Sequence, residues 1–435
     1  MSTDGRTGWA RLAGGSLILA AVRIGGMGCG LLLMIALARS LTPSDLGAVT
    51  LCFSIAMIGG LLASLNVGAG AVRFVNDYLG TGSSPLLHGY LNFGRRTVLA
   101  SAAVLWLILA LAGALAPVLD IALPAHVIVG LCVAPLFAWL RIAAANVAAT
   151  GEVLRGAIPA TLLRPVFTLV GVGLAWLLVE QLNVAVVLGV YVIALLGVVA
   201  LQWPLFRPVM AQLTRAPAAS APDVVSLWRR VGLDLLIPAL FLELFVDIVV
   251  LFASLVIDDA ELGALGIVLR VQGIVLFLVT SINMTLSPRI AAAHSMNDRD
   301  EVNRLLLIST HLKLWPSLLA LFALVFLGRW VLSLFSPAYA PYLVTLLILS
   351  TTPLIMAVFG PIVLFVTIRG LQNAARRVFG VALAVLFVLT LGLGHRYGVN
   401  GIAVSVVLVW LFWHAWLYVA IRRESGYSTV RLTPA

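Results

Sequence analysis

Val98–Leu119 reads VLASAAVLWLILALAGALAPVL, an apolar run without a single charged residue. Roughly 20 apolar residues in a row is the length of one helix across a bilayer. A membrane β-strand is about 10 residues long and alternates polar with apolar positions, and nothing in this stretch alternates. Outward from it in both directions the pattern recurs. Twelve helical spans are predicted at about 12–38, 46–69, 97–117, 125–148, 158–179, 184–206, 233–257, 263–287, 306–327, 342–367, 378–394 and 401–421. The expected fold class is therefore an all-α polytopic membrane protein of about twelve transmembrane helices. Composition agrees: hydrophobic residues make up 62% of the 435-residue chain and charged residues only 10%, whereas a soluble domain carries about 25% charged residues.

The net charge of +10 does not describe a nucleic-acid-binding protein, because the basic residues fall in short groups between the apolar runs and form no basic domain. In those places they are topology signals. With the N-terminus inside, the cytoplasmic segments hold 20 basic residues, Lys313 among them, and the outer loops hold only Arg39, Arg329 and Arg396. Both termini are expected in the cytoplasm. Arg6 and Arg11 precede an apolar run to about Ala38, longer than the roughly 7–15 residues of a signal-peptide core, so it is read as an uncleaved first helix. The longest connection, with Arg215-Ala-Pro-Ala-Ala-Ser-Ala-Pro222, separates a bundle over 1–206 from one over 233–435, and 207–232 reads as a cytoplasmic linker. The halves repeat weakly: one offset of 216 residues carries Asp45-Leu-Gly-Ala48 onto Glu261-Leu-Gly-Ala264 and Arg73 onto Arg289. Six helices per half make this a parallel repeat, a common transporter plan with the substrate site between halves.

The stretch Leu37-Ala-Arg-Ser-Leu-Thr-Pro-Ser-Asp-Leu-Gly47, continued by Leu65-Asn-Val-Gly68 and Val72-Arg-Phe-Val75, resembles the start of the polysaccharide exporters of the multidrug/oligosaccharidyl-lipid/polysaccharide (MOP) exporter superfamily. What the resemblance implies is a flippase. Such proteins carry a lipid-linked oligosaccharide across the bacterial inner membrane by alternating access, for O-antigen, capsule or exopolysaccharide assembly. The implied partners are the lipid-linked glycan, membrane lipids, and polysaccharide polymerase and assembly proteins. Members often carry Asp where this chain has Asn66, so no ion-binding role is transferred to it, and it is kept as a cavity position. A multidrug or small-molecule exporter of the same superfamily is the alternative. A membrane glycosyltransferase is the third reading.

Charges inside a span cost several kcal/mol unless paired or hydrated, which makes them the first functional candidates. Arg23, Arg141, Arg164 and Arg270 fall inside the spans, with the acids Glu243 and Asp247. A guanidinium fork suits a pyrophosphate linker, so Arg23, Arg141 and Arg270, with Asn66, are the candidate cavity residues; for the arginines, pairing to a carboxylate or to helix carbonyls is the structural alternative. Arg164 can snorkel toward the cytoplasmic end of its helix. Glu243 and Asp247, four apart, are expected on one helix face as a coupling site or a charge pair with Arg270. Moved back by 216, these three positions become Met27, Leu31 and Ser54, so the charge breaks the repeat. Gly25-Gly-Met-Gly-Cys-Gly30 would let helix one bend or let a neighbour approach. Gln272 and Asn283 read as interhelical glue, and Gly360-Pro361 as an interruption of helix ten, a tolerated kink in preference to a hinge.

Chemistry on a cofactor finds little support. The only lysine, Lys313, follows Leu312, so no phosphate loop of the form GxxxxGK[ST] exists and the drive is expected from a proton or sodium gradient. Asp298-Arg-Asp300 sits in a loop too short to hold a nucleotide-sugar domain. Six histidines and the cysteines Cys29, Cys52 and Cys132 lack ligand or disulfide spacing, so no metal site is read.

Overall fold

In hydrocarbon no water satisfies backbone N–H and C=O groups, so each apolar run must close its hydrogen bonds within itself. The computed structural model shows that outcome. It describes residues 4–117, 120, 123–213, 217–218 and 221–425, with side chains from Ile18 in the first helix; Arg215, Arg431 and the side chains of Arg6 and Arg11 lie outside the described residues. All regular structure among these residues is helical. Contacts divide the chain into two compact units, one of Met1–Leu41 with Leu51–Leu240 and one of Thr42–Thr50 with Phe241–Ala435.

In the first unit, α1 (Asp4–Ser40), α2 (Pro43–Ala63), α4 (Ser84–Leu115), α5 (Ala125–Ala149) and α8 (Val184–Leu213) are long apolar helices, α2 giving its first turns to the other unit. A further span, Val153–Leu178, is built from α6 (Val153–Ile158), a π-helical turn at Pro159–Leu163 and α7 (Arg164–Leu178). Two short helices differ in kind. The predicted second span, 46–69, stops at Ala63; Leu65 and Asn66 turn the chain with positive φ, and α3 (Ala71–Gly80) follows, burying Phe74 and Val75 and exposing Arg73 and Asp77. The segment 207–232, read as a linker, contains α9 (Pro222–Asp234). Its Trp228 is buried against Tyr78, Tyr90 and Phe93, and the indole N–H donates to the Tyr78 hydroxyl at 2.9 Å. An indole that fills a pocket and satisfies its donor is a strong anchor. It ties α9 into the first unit.

In the second unit, α12 (Asp259–Ser295) and α13 (Arg299–Ser333) are unbroken, whereas their neighbours are interrupted. A chain break of 76° separates Pro222–Glu243, which ends in α10 (Leu236–Glu243), from α11 (Phe245–Ala253). Helix ten is cut into α14 (Leu343–Leu349), α15 (Thr352–Phe359) and α16 (Ile362–Ile368). Gly360 (φ 73°) and then Pro361 make the last cut, a true break rather than a bend. The final α17 (Gln372–Ser425) is two helices joined at Gly398 (φ 56°, ψ −139°).

Ten described helices are long and apolar enough to span, with Gln372–Arg423 counted once. The bent pair adds one, and dividing α17 at Gly398 adds another, which gives the twelve expected from sequence. Large apolar side chains face outward along these spans, Trp176, Leu177 and Leu178 among them. Lipid is the solvent that permits this.

The internal repeat is visible in atoms. Thr42 caps α2 by accepting from the Asp45 backbone N–H (3.2 Å), and its hydroxyl donates to the Asp45 carboxylate (2.8 Å). At the same offset, Asp258 caps α12 by accepting from the Glu261 N–H at 2.8 Å. Gly47 and Gly263 complete the correspondence within the second unit. A Cβ on Gly47 would collide with the Asp259 carbonyl oxygen, and one on Gly263 with the Pro43 carbonyl oxygen. The two related helix starts cross with their backbones in contact, which only glycine allows.

Candidate functional site

Helix one supplies the first candidate. Arg23 is half-buried. One turn on, a Cβ at Gly26 would run into the Thr161 carbonyl, in the middle of the π-helical turn. Such turns displace backbone carbonyls from the regular ladder and occur often at functional sites. The glycine run therefore divides. Gly25 and Gly26 seat α1 on the π turn, while Gly28 and Gly30 have no neighbour within 4 Å of a built Cβ among the described residues.

Arg164 follows the π turn immediately. It does not snorkel to the surface: Nη1 donates to Met57 Sδ at 3.0 Å and the guanidinium lies 5.3 Å from the Phe137 ring centroid. That is a cation–π geometry inside the first unit. Arg141, on α5, is half-buried. Asn66 is buried, and its amide is committed to local structure: Nδ2 donates to the Leu235 carbonyl at 3.0 Å, and its own N–H donates to Ser64 Oγ at 3.1 Å. It holds the turn after α2 against the end of α9.

The acids of helix seven do not lie on one continuous helix. Leu244 interrupts the helix between them, leaving Glu243 exposed at the end of α10 and Asp247 half-buried in the first turn of α11. The four-residue spacing assumed an unbroken helix, and the 76° bend removes that premise. Arg270 is exposed on α12 directly after eight consecutive buried residues, Leu262–Leu269.

Among the described residues the most deeply embedded charge is Lys313, expected from sequence among the cytoplasmic cations. Lys313 is fully buried (0% exposed) within α13. Its Nζ donates to Asn283 Oδ1 of α12 at 3.1 Å, and it makes no ion pair with any described residue. Ser309, Thr310 and Ser317 stand four before, three before and four after it, hence on the same helix face. All three are buried, and their hydroxyls find no hydrogen-bond partner among the described residues. His414 of α17, also buried, lies within electrostatic reach of Lys313 and bonds the Trp410 carbonyl through Nδ1 at 2.8 Å. Elsewhere on α12, Gln272 bridges to α15 by donating to Thr352 Oγ1 at 2.7 Å. Gln272 and Asn283 thus join helices, as expected of intramembrane amides.

A buried ammonium whose visible partner is a neutral amide is costly, and such residues in spans mark substrate or ion pathways by default. The signal was present in the sequence: Lys313 lies well inside the predicted span 306–327, with polar residues at helical spacing around it.

No protein-family profile and no curated relative matches the chain by sequence. Solved structures do match along nearly its whole length. A multidrug-resistance MATE family transporter of the MOP superfamily, in an inward-facing conformation, superposes with a TM-score of 0.71 at 12% identity, covering 92% of this chain and 94% of that one. The lipid II flippase MurJ, inward closed, gives a TM-score of 0.68 at 12% identity over 93% and 87% of the two chains. A MATE protein in its straight conformation gives 0.62 at 13% identity over 94% and 95%. The chain thus has the polytopic fold that these multidrug transporters and the lipid flippase share.

Proposed function

We propose that the chain is a flippase carrying a lipid-linked oligosaccharide, a polyprenyl-pyrophosphate glycan, across the bacterial inner membrane by alternating access. Its product feeds O-antigen, capsule or exopolysaccharide assembly, and polymerase and assembly proteins are its downstream partners. One observation carries the choice of cargo. Among the charges first read inside the spans, three arginines, Arg23, Arg141 and Arg270, are cavity candidates, against two acids, Glu243 and Asp247. Guanidinium groups suit the two phosphates of the carrier. The positive-inside bias supports cytoplasmic termini. A proton or sodium gradient is the drive, with Glu243, Asp247 and Lys313 as the ionisable groups that couple to it.

Multidrug export is the second reading, favoured by the equally extensive fold match to MATE transporters. The two are separated in a host lacking the gene. Arg23→Ala and the Glu243→Ala/Asp247→Ala pair, each present at wild-type abundance, are expected to lose surface polysaccharide and to accumulate the lipid-linked precursor inside. Full surface polysaccharide in the protein's absence, with no second flippase to substitute, rejects the glycan cargo.

A further inference from the structure

The first unit contains a cavity of about 430 Å³ between α4, α5 and α8. Its lining combines charged, apolar and amide side chains. At the rim stand Arg95 and Arg207, both exposed, neither paired with any described residue. Arg95 lies just before the apolar run of α4 and Arg207 just after that of α8, so the rim is at the membrane–water boundary on one side. The walls are Val98, Ile142 and Phe206, with the indole of Trp139. Trp203, mostly exposed, opens the same cavity toward the outer face of α8.

The interior holds two nearly fully buried amides, Asn146 (4% exposed) and Gln202 (1%). Gln202 Nε2 donates to the Leu140 carbonyl at 3.3 Å, which fixes the amide's orientation and leaves Oε1 without a donor. Asn146 Oδ1 likewise accepts from nothing described. Buried acceptors left unmatched are costly and rare, and each calls for an explanation. The cavity thus offers two cations at the interface, an apolar passage beside them, and two acceptors awaiting hydroxyl donors.

We propose that this cavity binds an anionic phospholipid with a hydroxylated headgroup. The phosphate sits between Arg95 and Arg207, the headgroup hydroxyls donate to Asn146 Oδ1 and Gln202 Oε1, and the acyl chains leave past Trp203 into the leaflet. Phosphatidylglycerol has this chemistry. Phosphatidic acid has the charge without the headgroup hydroxyls, and phosphatidylcholine has neither a net charge nor a headgroup hydroxyl. The site lies within one bundle, and the inference does not depend on what the protein transports.

The test is native mass spectrometry of the full-length protein titrated with each lipid in detergent, alongside its melting temperature. Wild type is expected to retain phosphatidylglycerol saturably and in preference to both other lipids, and to melt higher with it. Arg95→Ala/Arg207→Ala should weaken phosphatidylglycerol binding about tenfold or more, since charge-assisted bonds are lost, while leaving the melting temperature without lipid unchanged. Asn146→Leu should keep the preference for anionic lipid and lose the discrimination between phosphatidylglycerol and phosphatidic acid. Equal retention of all three lipids by wild type, or undiminished phosphatidylglycerol binding by the double arginine variant, overturns the proposal. Displacement of the lipid by free glycerol phosphate at matching concentration also overturns it, by making the ligand a soluble phosphate.

Discussion

Lys313 is fully buried in α13, and its Nζ donates to the neutral Asn283 amide. Counting Lys and Arg to find topology treats each cation as belonging to the nearest loop. That works for exposed residues such as Arg95, Arg229 and Arg422. It fails for a lysine seven residues into a predicted span, where the loop assignment and the span assignment conflict. Without it the bias is still 19 to 3. The physical consequence is testable. A buried ion lacking a carboxylate gives weak or negative stabilisation, and an apolar side chain of similar volume often holds a fold equally well or better. Lys313→Met is therefore expected to leave the melting temperature unchanged, or to raise stability by up to about 2 kcal/mol, and to abolish transport. A fall in melting temperature with unchanged transport per folded molecule would make Lys313 a structural residue. Asn66 went the other way: a cavity candidate by motif, it spends its amide on the Leu235 carbonyl. A left-handed turn after α2 leaves little trace in a sequence where Leu65 and Asn66 sit inside an apolar pattern.

At the scale of elements, apolar length located all the long helices, because in a bilayer length and hydropathy decide the state. Breaks were legible only where their cause was written in the residue types. Gly360-Pro361 announced the cut in helix ten, since one residue takes positive φ and the other lacks an N–H. Leu244 carries no such mark, so the break that separates Glu243 from Asp247 was invisible. The repeat motif was legible as four letters, and its purpose emerges only in space: the caps at Thr42 and Asp258 start two helices whose glycines, Gly47 and Gly263, meet backbone to backbone. Gly47→Val should thus lower the folded yield and destabilise by about 1–3 kcal/mol, as forced overpacking does. Gly28→Ala, where a Cβ meets nothing within 4 Å, should be neutral or stabilising by up to about 1 kcal/mol. Comparable melting temperatures for the two variants would contradict the crossing.

At the scale of the whole molecule, the fold was predicted from composition and span length and is matched by transporters that share about one residue in eight with it. Cargo is another matter. One architecture hosts several cargoes, because the site rather than the scaffold chooses the substrate. Here that choice rests on embedded guanidinium groups, Arg23 foremost, seated one turn from the Gly26 contact with the π turn. The most direct test places purified protein in liposomes with a fluorescent polyprenyl-pyrophosphate oligosaccharide in both leaflets. A membrane-impermeant reagent added outside then destroys the fluorescence that it can reach. The flippase account predicts that wild type carries the reacted fraction from about half toward completion, and that Arg23→Ala holds it at half, as protein-free liposomes do. A reacted fraction fixed at half with wild-type protein, in liposomes that expel a cationic dye, would contradict the account and assign the protein to multidrug export.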